Sequence, residues 1–360
     1  MKKVIYLALA FSAVAISYNC KKSLPAPDPG NVKLYLPEEP YNYAAVREDN
    51  STKFLYFEDG QPINNDKATL GRVLFYDKAL SLNNTISCAS CHIQSNGFAD
   101  RTTFSKGFEE KLTERNSMSI CNLTEERGIG YFWDGRRNRI TDLVMDPVAN
   151  HIEMGFDRID LISSKINKLP YYADLFKKAY GTTSASEEKI RESMGHFLFS
   201  IVTPNSNIDV LSRNDFNDMT KSEKEGMQLF KDAHCDRCHL VTGSIPSQYY
   251  GIRFANVGLE EKDNDQGLSG MFKIPRLMNI AHTAPYMHDG RFKTLEEVVE
   301  HYSTGIKNNL RLNSLLRNND GTPIRFAFTA QQKADLVAFL KTIQDKDMLT
   351  DKKYSSPFIP

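Results

Sequence analysis

Cys88-Ala89-Ser90-Cys91-His92 is the motif around which the chain is organised, and the same pattern recurs at Cys235-Asp236-Arg237-Cys238-His239. The C-x-x-C-H pattern is typical of covalent c-type haem attachment, in which two thiols bind the haem and the adjacent His ligates its iron. C-x-x-C alone also serves dithiol redox sites and half of a zinc site. A zinc site built from both motifs would leave His92 and His239 without a role. The two motifs therefore predict two covalently bound haems, with these histidines as iron ligands.

The composition is ordinary for a soluble globular protein. The chain has 360 residues, of which 41% are hydrophobic and 25% charged, and this length is enough for two domains that each bury a core. Its 45 basic and 45 acidic residues give a formal net charge of zero, which argues against a nucleic-acid partner. Of the six cysteines only Cys121 remains once Cys20 and the motif cysteines are set aside, so we expect no disulfide framework.

The first 20 residues predict a secretory signal peptide. Two lysines precede an apolar run that is too short to span a bilayer. Cys20 follows this run and is a candidate for the lipid-bearing cysteine of a bacterial lipoprotein; cleavage after Ala15 is the alternative. Residues 21–66 would then form a tether and lead-in. Both alternatives predict an exported protein that is periplasmic or anchored on the periplasmic side of a membrane, where covalent haem attachment normally takes place.

Two further phrases recur in the same order around the two motifs. Gly71–Asp77 and Gly226–Asp232 share the pattern G-x-x-L-F-x-D upstream, and Tyr131–Arg136 and Tyr286–Arg291 share Asp-Gly-Arg downstream. Each match alone has an ordinary explanation in the residue preferences of helices and turns. Three matches in one order, counting the C-x-x-C-H motif, indicate a duplicated domain.

The predicted fold class is mostly α, with two tandem cytochrome c-like domains at residues 67–205 and 206–360. Apolar residues at helical spacing predict helices on both sides of each motif, and strand signals are few. The predicted helical stretches are 158–169, 171–180, 187–201, 222–232 and 330–343. The domain boundary is expected near residues 204–220.

These patterns resemble the bacterial dihaem cytochrome c peroxidase family, which includes the MauG-type enzymes. The resemblance covers roughly residues 66–345. Besides both C-x-x-C-H motifs, it rests on Arg115-Asn116-Ser117, Phe132-Trp133-Asp134-Gly135-Arg136, Pro147 through Glu153-Met154, and Thr283-Ala284-Pro285-Tyr286 with His288-Asp289-Gly290. It implies that the haems face a shared domain junction, with a peroxide-binding haem in the N-terminal domain and an electron-transfer haem in the C-terminal domain.

The resemblance implies catalytic roles for two residues. Glu153 falls where the family places its distal acid and base, and a carboxylate there can take a proton from hydrogen peroxide and return it to the oxygen that leaves as water. Without the resemblance, a lone Glu would be assigned to a solvated helix face. Trp133 is the only Trp of the chain and matches an aromatic residue that relays electrons between the haems; a buried core Trp is the alternative.

The peroxidatic site departs from the better-known peroxidases. Those carry a His seven residues before the Arg-Asn pair, and this His caps the resting iron; counting back from Arg115 reaches Phe108 instead. The chain has no other His between His92 and His151. Because a Phe side chain cannot ligate iron, His92 is expected to be the sole protein ligand of its haem, as in the MauG-type branch, without a need for reductive activation.

The second haem shows a parallel departure. The sixth ligand of the electron-transfer haem falls fourteen residues after His288, at Tyr302, where the peroxidases carry Met and the MauG branch carries Tyr. A phenolate stabilises ferric iron and lowers the reduction potential, whereas a thioether raises it. His301 and Met287 are competing candidates, and packing of Tyr302 on the haem without ligation is a further alternative.

The resemblance also implies a Ca²⁺ ion between the haems, bound through side-chain or backbone oxygens as a hard cation prefers. The matching positions are Asn116, Thr283 and Pro285. Two departures alter the surroundings of the haems. Leu143 occupies the place of a Gln near the active site, and Leu277-Met278-Asn279 replaces the usual Leu-Arg-Asn, with Lys273 and Arg276 as candidate partners of the haem propionates.

The expected function is a peroxidase that reduces H2O2 to water with electrons from a small exported donor of the cytochrome c or cupredoxin type. The first alternative is a MauG-like oxidase that acts on a partner protein or an organic substrate, which Phe108 and Tyr302 favour. The second alternative is a dihaem electron-transfer protein without catalysis, against which Glu153 argues. The peroxidase branch forms homodimers, and a homodimer is compatible with this chain.

Overall fold

The computed structural model describes residues 32–48, 51–212, 214–239, 252–262 and 270–359. The predicted signal peptide and Cys20 lie outside the described residues. Within them, no helix is long and apolar enough to cross a membrane. Helices and short 3-10 turns make up most of the regular structure, so the predicted mostly α fold class is confirmed.

The described residues form two groups of helices and two small sheets. The helices of the first half are α1 (Asn65–Tyr76), α2 (Ile140–Leu143), α3 (Asp146–Ala149), α4 (Asp160–Ile166), α5 (Tyr172–Tyr180) and α6 (Glu187–Ser200). Those of the second half are α7 (Asn207–Ser212), α8 (Lys221–Asp232), α9 (Leu295–Glu300) and α10 (Ala330–Leu340). The antiparallel strand pairs are β1 (Ala45–Glu48) with β2 (Ser51–Phe54), and β3 (Phe254–Ala255) with β4 (Phe272–Lys273). Each helical stretch predicted from the sequence coincides with one of these helices to within a few residues.

Side-chain caps set the start of the helices that lead to the site. Asn64 caps α1 by accepting a hydrogen bond from a backbone N–H of its first turn. α8 starts with a capping box between Thr220 and Glu223, and α9 and α10 start with equivalent boxes at Thr294 and Thr329. These short-range signals explain why the helices begin where they do.

The repeated Gly lies where two helices pack backbone to backbone in each half. α1 packs on α6, and a Cβ atom added to Gly71 would lie 2.0 Å from the carbonyl oxygen of Ser193. α8 packs on α10 in the same way, and a Cβ atom on Gly226 would lie 1.9 Å from the carbonyl oxygen of Asp335. Only Gly allows these backbones to approach so closely. The duplicated sequence therefore folds into a duplicated helix pair that leads into each C-x-x-C-H motif.

Two hydrophobic cores follow one another along the chain. Most of the first core consists of buried residues between Tyr43 and Val202, and the second consists of buried residues between Ile208 and Ile343. The change from one core to the other supports a domain boundary close to residue 205. The domain limits themselves stay a prediction.

The C-terminal tail returns to the first core. Met348 and Tyr354 are buried there, and the Tyr354 hydroxyl donates to a backbone carbonyl of α6 at 2.7 Å. Gln94, two residues after His92, donates to the carbonyls of Met348 and Asp351 at 3.0 and 2.8 Å. The tail therefore holds the loop that follows the first C-x-x-C-H motif.

Candidate active site

Both C-x-x-C-H motifs adopt the same local structure. Each begins with one turn of 3-10 helix that starts at the first Cys. The backbone N–H of His92 donates to the Cys88 carbonyl at 2.9 Å, and that of His239 donates to the Cys235 carbonyl at 2.9 Å. This compact turn places both thiols and the following His on one short segment, as covalent haem attachment requires.

Each motif His is oriented for metal ligation. Nδ1 of His92 lies 3.0 Å from the Phe98 carbonyl oxygen, and Nδ1 of His239 lies 3.1 Å from the Pro275 carbonyl oxygen. Because a carbonyl oxygen only accepts, Nδ1 carries the proton and the Nε2 lone pair is left for a metal. Burial lowers the pKa of both imidazoles, which favours the neutral form that ligates iron.

A cavity of about 510 Å³ lies beside the second motif and is named the second cavity after that motif. Cys235, Cys238 and His239 form part of its wall, and most of the remaining wall is apolar. The volume is typical of a cofactor site, and two thiols, a ligating His and an apolar lining that face one space fit a haem. Asn116 and Trp133 of the first half also line this cavity, so it lies at the junction between the two halves.

Tyr302 lines this cavity from a π-helical turn. The π-helical residues His301–Gly305 follow α9 directly, and such local distortions are frequent at functional sites. Burial, and then the nearby thiols of Cys235 and Cys238, raise the pKa of the Tyr302 phenol. A phenolate at this position therefore needs a cation beside it, such as ferric iron.

The two competing ligand candidates differ in their surroundings. Nε2 of His301 donates to the Val257 carbonyl at 2.9 Å, so this ring nitrogen is already engaged. Met287 lines the second cavity together with Tyr302. Ligation by Tyr302 stays a prediction; Met287, His301 through its other ring nitrogen, and packing of Tyr302 on the haem without ligation stay the alternatives.

The described residues contain no group of three or more His, Cys, Asp or Glu side chains placed to bind a metal ion. The residues predicted to bind Ca²⁺ line the second cavity together; they are Asn116, Thr283 and Pro285. A Ca²⁺ ion there would depend on amide, hydroxyl and carbonyl oxygens, and this site stays a prediction.

Glu153 lies beside the first motif, on the turn that follows α3. Its carboxylate interacts electrostatically with the thiols of Cys88 and Cys91. Burial raises the pKa of the Glu153 carboxyl above its usual range, and the positive charge of Arg136 partly opposes this rise. The fold therefore brings a carboxyl group that is suited to proton exchange next to the first haem-attachment site.

Phe108 packs against the turn that carries Glu153. Its backbone N–H donates to the carbonyls of Ile152 and Glu153 at 2.7 and 2.9 Å. Its ring lies over Gly155, where an added Cβ atom would be 2.7 Å from the ring. The position at which the better-known peroxidases carry a His therefore lies beside the acid/base candidate and presents an apolar side chain.

Trp133 makes one contact within the first half and two contacts with the second half. Its indole N–H donates to the Asn116 carbonyl at 2.8 Å, and its own carbonyl accepts from the backbone N–H of Lys273 at 2.7 Å. Its ring meets that of Phe272 edge to face, with centroids 6.4 Å apart. Trp133 thus lies at the junction where an electron relay between two haems would have to lie, and the relay role stays a prediction.

Two cations of the second half pair with carboxylates of the first half. Lys273 is buried and forms an ion pair with buried Glu126, and both side chains line the second cavity. Arg276 pairs with Glu125 at 2.8 Å. The two cations could be predicted from the sequence but the two glutamates could not, because no local pattern reveals a partner such as Glu126, which lies 147 residues from Lys273 along the chain.

Comparison with known proteins identifies the family. The model of the di-haem cytochrome c peroxidase family matches residues 65–217. A cytochrome c551 peroxidase of Nitrosomonas europaea is 31% identical over 290 residues, which cover 78% of this chain and 81% of that protein. The chain belongs to the di-haem cytochrome c peroxidase family. It is therefore a di-haem peroxidase, an oxidoreductase that carries two c-type haems.

MauG proteins are also among the relatives of this di-haem peroxidase. The methylamine utilization protein MauG of Methylophilus methylotrophus is 26% identical over 311 residues, which cover 83% of this chain and 87% of that protein. A solved structure of a MauG-like protein associated with microbial copper homeostasis aligns with a TM-score of 0.73 and 28% identity, over 84% of this chain and 96% of that chain. This likeness confirms the predicted tandem cytochrome c-like fold.

Proposed function

We propose that this di-haem peroxidase reduces H2O2 to water at the haem held by His92, with electrons that enter through the haem held by His239. A small exported redox protein of the cytochrome c or cupredoxin type is the proposed donor. The observation that carries the proposal is the position of Glu153 beside the first C-x-x-C-H motif, with the apolar Phe108 packed on its turn. The bound haems supply the redox chemistry, while the chain supplies proton transfer, electron relay and access.

Proton transfer is assigned to Glu153. In its ionised form the carboxylate accepts a proton from H2O2, and in its protonated form it returns that proton to the oxygen that leaves as water. Burial raises the pKa of this carboxyl, which brings the protonated form closer to neutral pH. Arg136 opposes this rise, so the ionised form that must act first is also supported.

Access to the peroxide site is assigned to Phe108. Its side chain has no atom that can ligate iron, and its backbone is held by two hydrogen bonds to the turn of Glu153. We therefore expect the fully oxidised protein to react with H2O2 without prior reduction.

Electron delivery is assigned to Tyr302 and Trp133. Tyr302, as sixth ligand of the haem held by His239, would close that iron to peroxide and leave it to pass electrons. Trp133, held by the Asn116 carbonyl and packed on Phe272, would relay electrons across the junction. The same junction would bind Ca²⁺ at the three positions named above.

A MauG-like oxidase is the second candidate function. Such an enzyme would remove electrons from a partner protein or an organic substrate instead of accepting them from a small donor. Phe108 at the first site and Tyr302 at the second favour it, and a MauG-like protein is among the similar solved structures. For either function we propose export through the signal peptide, with Cys20 as a candidate lipid site and a homodimer as a candidate assembly.

Stopped-flow mixing of the oxidised protein with H2O2 tests the proposal. A rapid change of the haem absorbance is expected without a reductant, and Glu153→Gln should slow it by roughly 10²-fold or more. Glu110→Gln is the matched control, because Glu110 is an exposed carboxylate on the Phe108 loop. Near-normal rates in Glu153→Gln would remove the acid/base role, and an unreactive oxidised protein would contradict the role of Phe108.

Steady-state kinetics separate the two candidate functions. Rapid, peroxide-dependent oxidation of reduced cytochrome c or a reduced cupredoxin is expected for the peroxidase. Turnover that stays slow with such donors, together with peroxide-dependent oxidation of a protein or organic substrate, would favour the MauG-like oxidase instead.

A further inference from the structure

The turn that presents Glu153 is built around one residue, Asn150. Asn150 ends α3, and its carbonyl accepts hydrogen bonds from the backbone N–H groups of Glu153, Met154 and Gly155 at 3.1, 3.0 and 2.9 Å. Its side-chain Oδ1 accepts from the backbone N–H of Ile152 at 2.8 Å. The backbone and the side chain of this single residue therefore accept four hydrogen bonds from the turn.

The second polar atom of the same amide reaches the carboxylate. Nδ2 of Asn150 donates to Oε1 of Glu153 at 3.0 Å. The Ile152 N–H can only donate, so it keeps Oδ1 on its own side and turns the NH2 group toward Glu153. The backbone thus decides the orientation of the amide, and the donor to the carboxylate is preorganised.

Charged and titratable groups on three elements face the same carboxyl. Arg136, on the loop before α2, lowers the pKa of Glu153, and Asp146 of α3 raises it. On the side of the first motif lie the thiols of Cys88 and Cys91. These groups act through charge, whereas Asn150 acts through a directed hydrogen bond that also restricts the rotamer.

We infer that Asn150 is a positioning residue for Glu153: its amide holds the carboxylate beside the first motif and favours the ionised form that takes the first proton from peroxide. This inference rests on the proposed role of Glu153.

The acid limb is the low-pH part of the pH profile, over which the rate constant of the reaction with H2O2 falls. Removal of the amide donor should move this acid limb to higher pH. A general base acts in its ionised form, so the rate falls as the pH drops through its pKa. Donation by Asn150 stabilises the ionised form, and its loss should raise the pKa of Glu153 by about one unit, a tenfold change in ionisation. Asn150→Ala removes both contacts without adding a charge, while Asn150→Asp keeps an oxygen that accepts from Ile152, removes the donor and adds a negative charge beside Glu153.

Two measurements on the haem-loaded protein test this expectation. One is the pH profile of the H2O2 reaction, and the other is the pH profile of cyanide binding, in which HCN must also give up a proton but no turnover occurs. We expect both acid limbs to shift upward by about one pH unit in Asn150→Ala with unchanged haem content, and by more in Asn150→Asp, whose added negative charge also raises the pKa of Glu153. Asn167→Ala is the matched control, because the Asn167 amide bonds the backbone of Ala185 and not Glu153.

The outcomes distinguish this inference from the proposed function. If the acid limbs are unshifted in both Asn150 variants while Glu153→Gln still abolishes the acid limb, the positioning role is wrong. The acid/base role of Glu153 would then be left intact. A Glu153→Gln variant that keeps the wild-type limb would overturn both. If Asn150→Ala shifts the limb only in proportion to a loss of folded protein and Asn150→Asp shifts nothing, the role of Asn150 is structural and the inference is wrong.

Discussion

Replacing the repeated Gly by Ala should destabilise each half of the protein separately. In Gly71→Ala the new Cβ atom would lie 2.0 Å from the Ser193 carbonyl oxygen, and in Gly226→Ala it would lie 1.9 Å from the Asp335 carbonyl oxygen. An unstrained contact between carbon and oxygen needs about 3.3 Å, so each helix pair must open by more than about 1 Å.

The size of the effect follows from two opposing contributions. Overpacking a tight contact costs about 1–3 kcal/mol, and Ala in place of Gly within a helix gains about 0.8–1.0 kcal/mol. We expect a net loss of up to about 2 kcal/mol in the free energy of unfolding for each variant. Because α1 leads into the first motif and α8 into the second, Gly71→Ala should perturb the haem held by His92, and Gly226→Ala the haem held by His239.

Urea unfolding followed by circular dichroism, together with the absorbance of each haem, measures both effects. Glu225→Ala is the matched control, because Glu225 precedes Gly226 on the same helix and is exposed. A gain of stability in either Gly variant, as helix propensity alone predicts, would refute the close backbone contact. Equal perturbation of both haems by one variant would refute the separate roles of the two helix pairs.

Three further substitutions test the junction between the halves. Tyr302→Phe should raise the reduction potential of the haem held by His239 and leave the other unchanged in a redox titration; an unchanged potential would rule out phenolate ligation. Trp133→Phe should preserve the first reaction with H2O2 and delay oxidation of the second haem in stopped flow; equal rates would remove the relay role. Glu126→Gln leaves Lys273 buried without its anion and should cost about 3 kcal/mol of unfolding free energy in urea, most of which Glu126→Leu combined with Lys273→Met should restore; a single variant as stable as the parent would mean that Lys273 has another anionic partner.

The haem-attachment sites and the duplication could be predicted because their residues are close together in the sequence. Each C-x-x-C-H motif forms one short turn, and its thiols and His need no distant partner to be recognised. The repeated Gly was visible as part of a short phrase, although only the structure explains why Gly71 and Gly226 are needed. The roles of Glu153 and Tyr302 came from the family resemblance, since neither residue stands out in a local pattern.

Local sequence patterns are enough to show that two covalent haem sites lie on two related helical units. The contacts between side chains that are far apart along the chain are visible only in the tertiary structure. In that structure Lys273 pairs with Glu126, Gln94 donates to the C-terminal tail, and the amide of Asn150 donates to the Glu153 carboxylate. Helical periodicity and haem-attachment motifs involve residues within a few positions of each other, so they can be recognised in a short stretch of sequence. Burial and charge pairing depend on how segments far apart in the sequence pack together, and no short stretch of sequence contains that information.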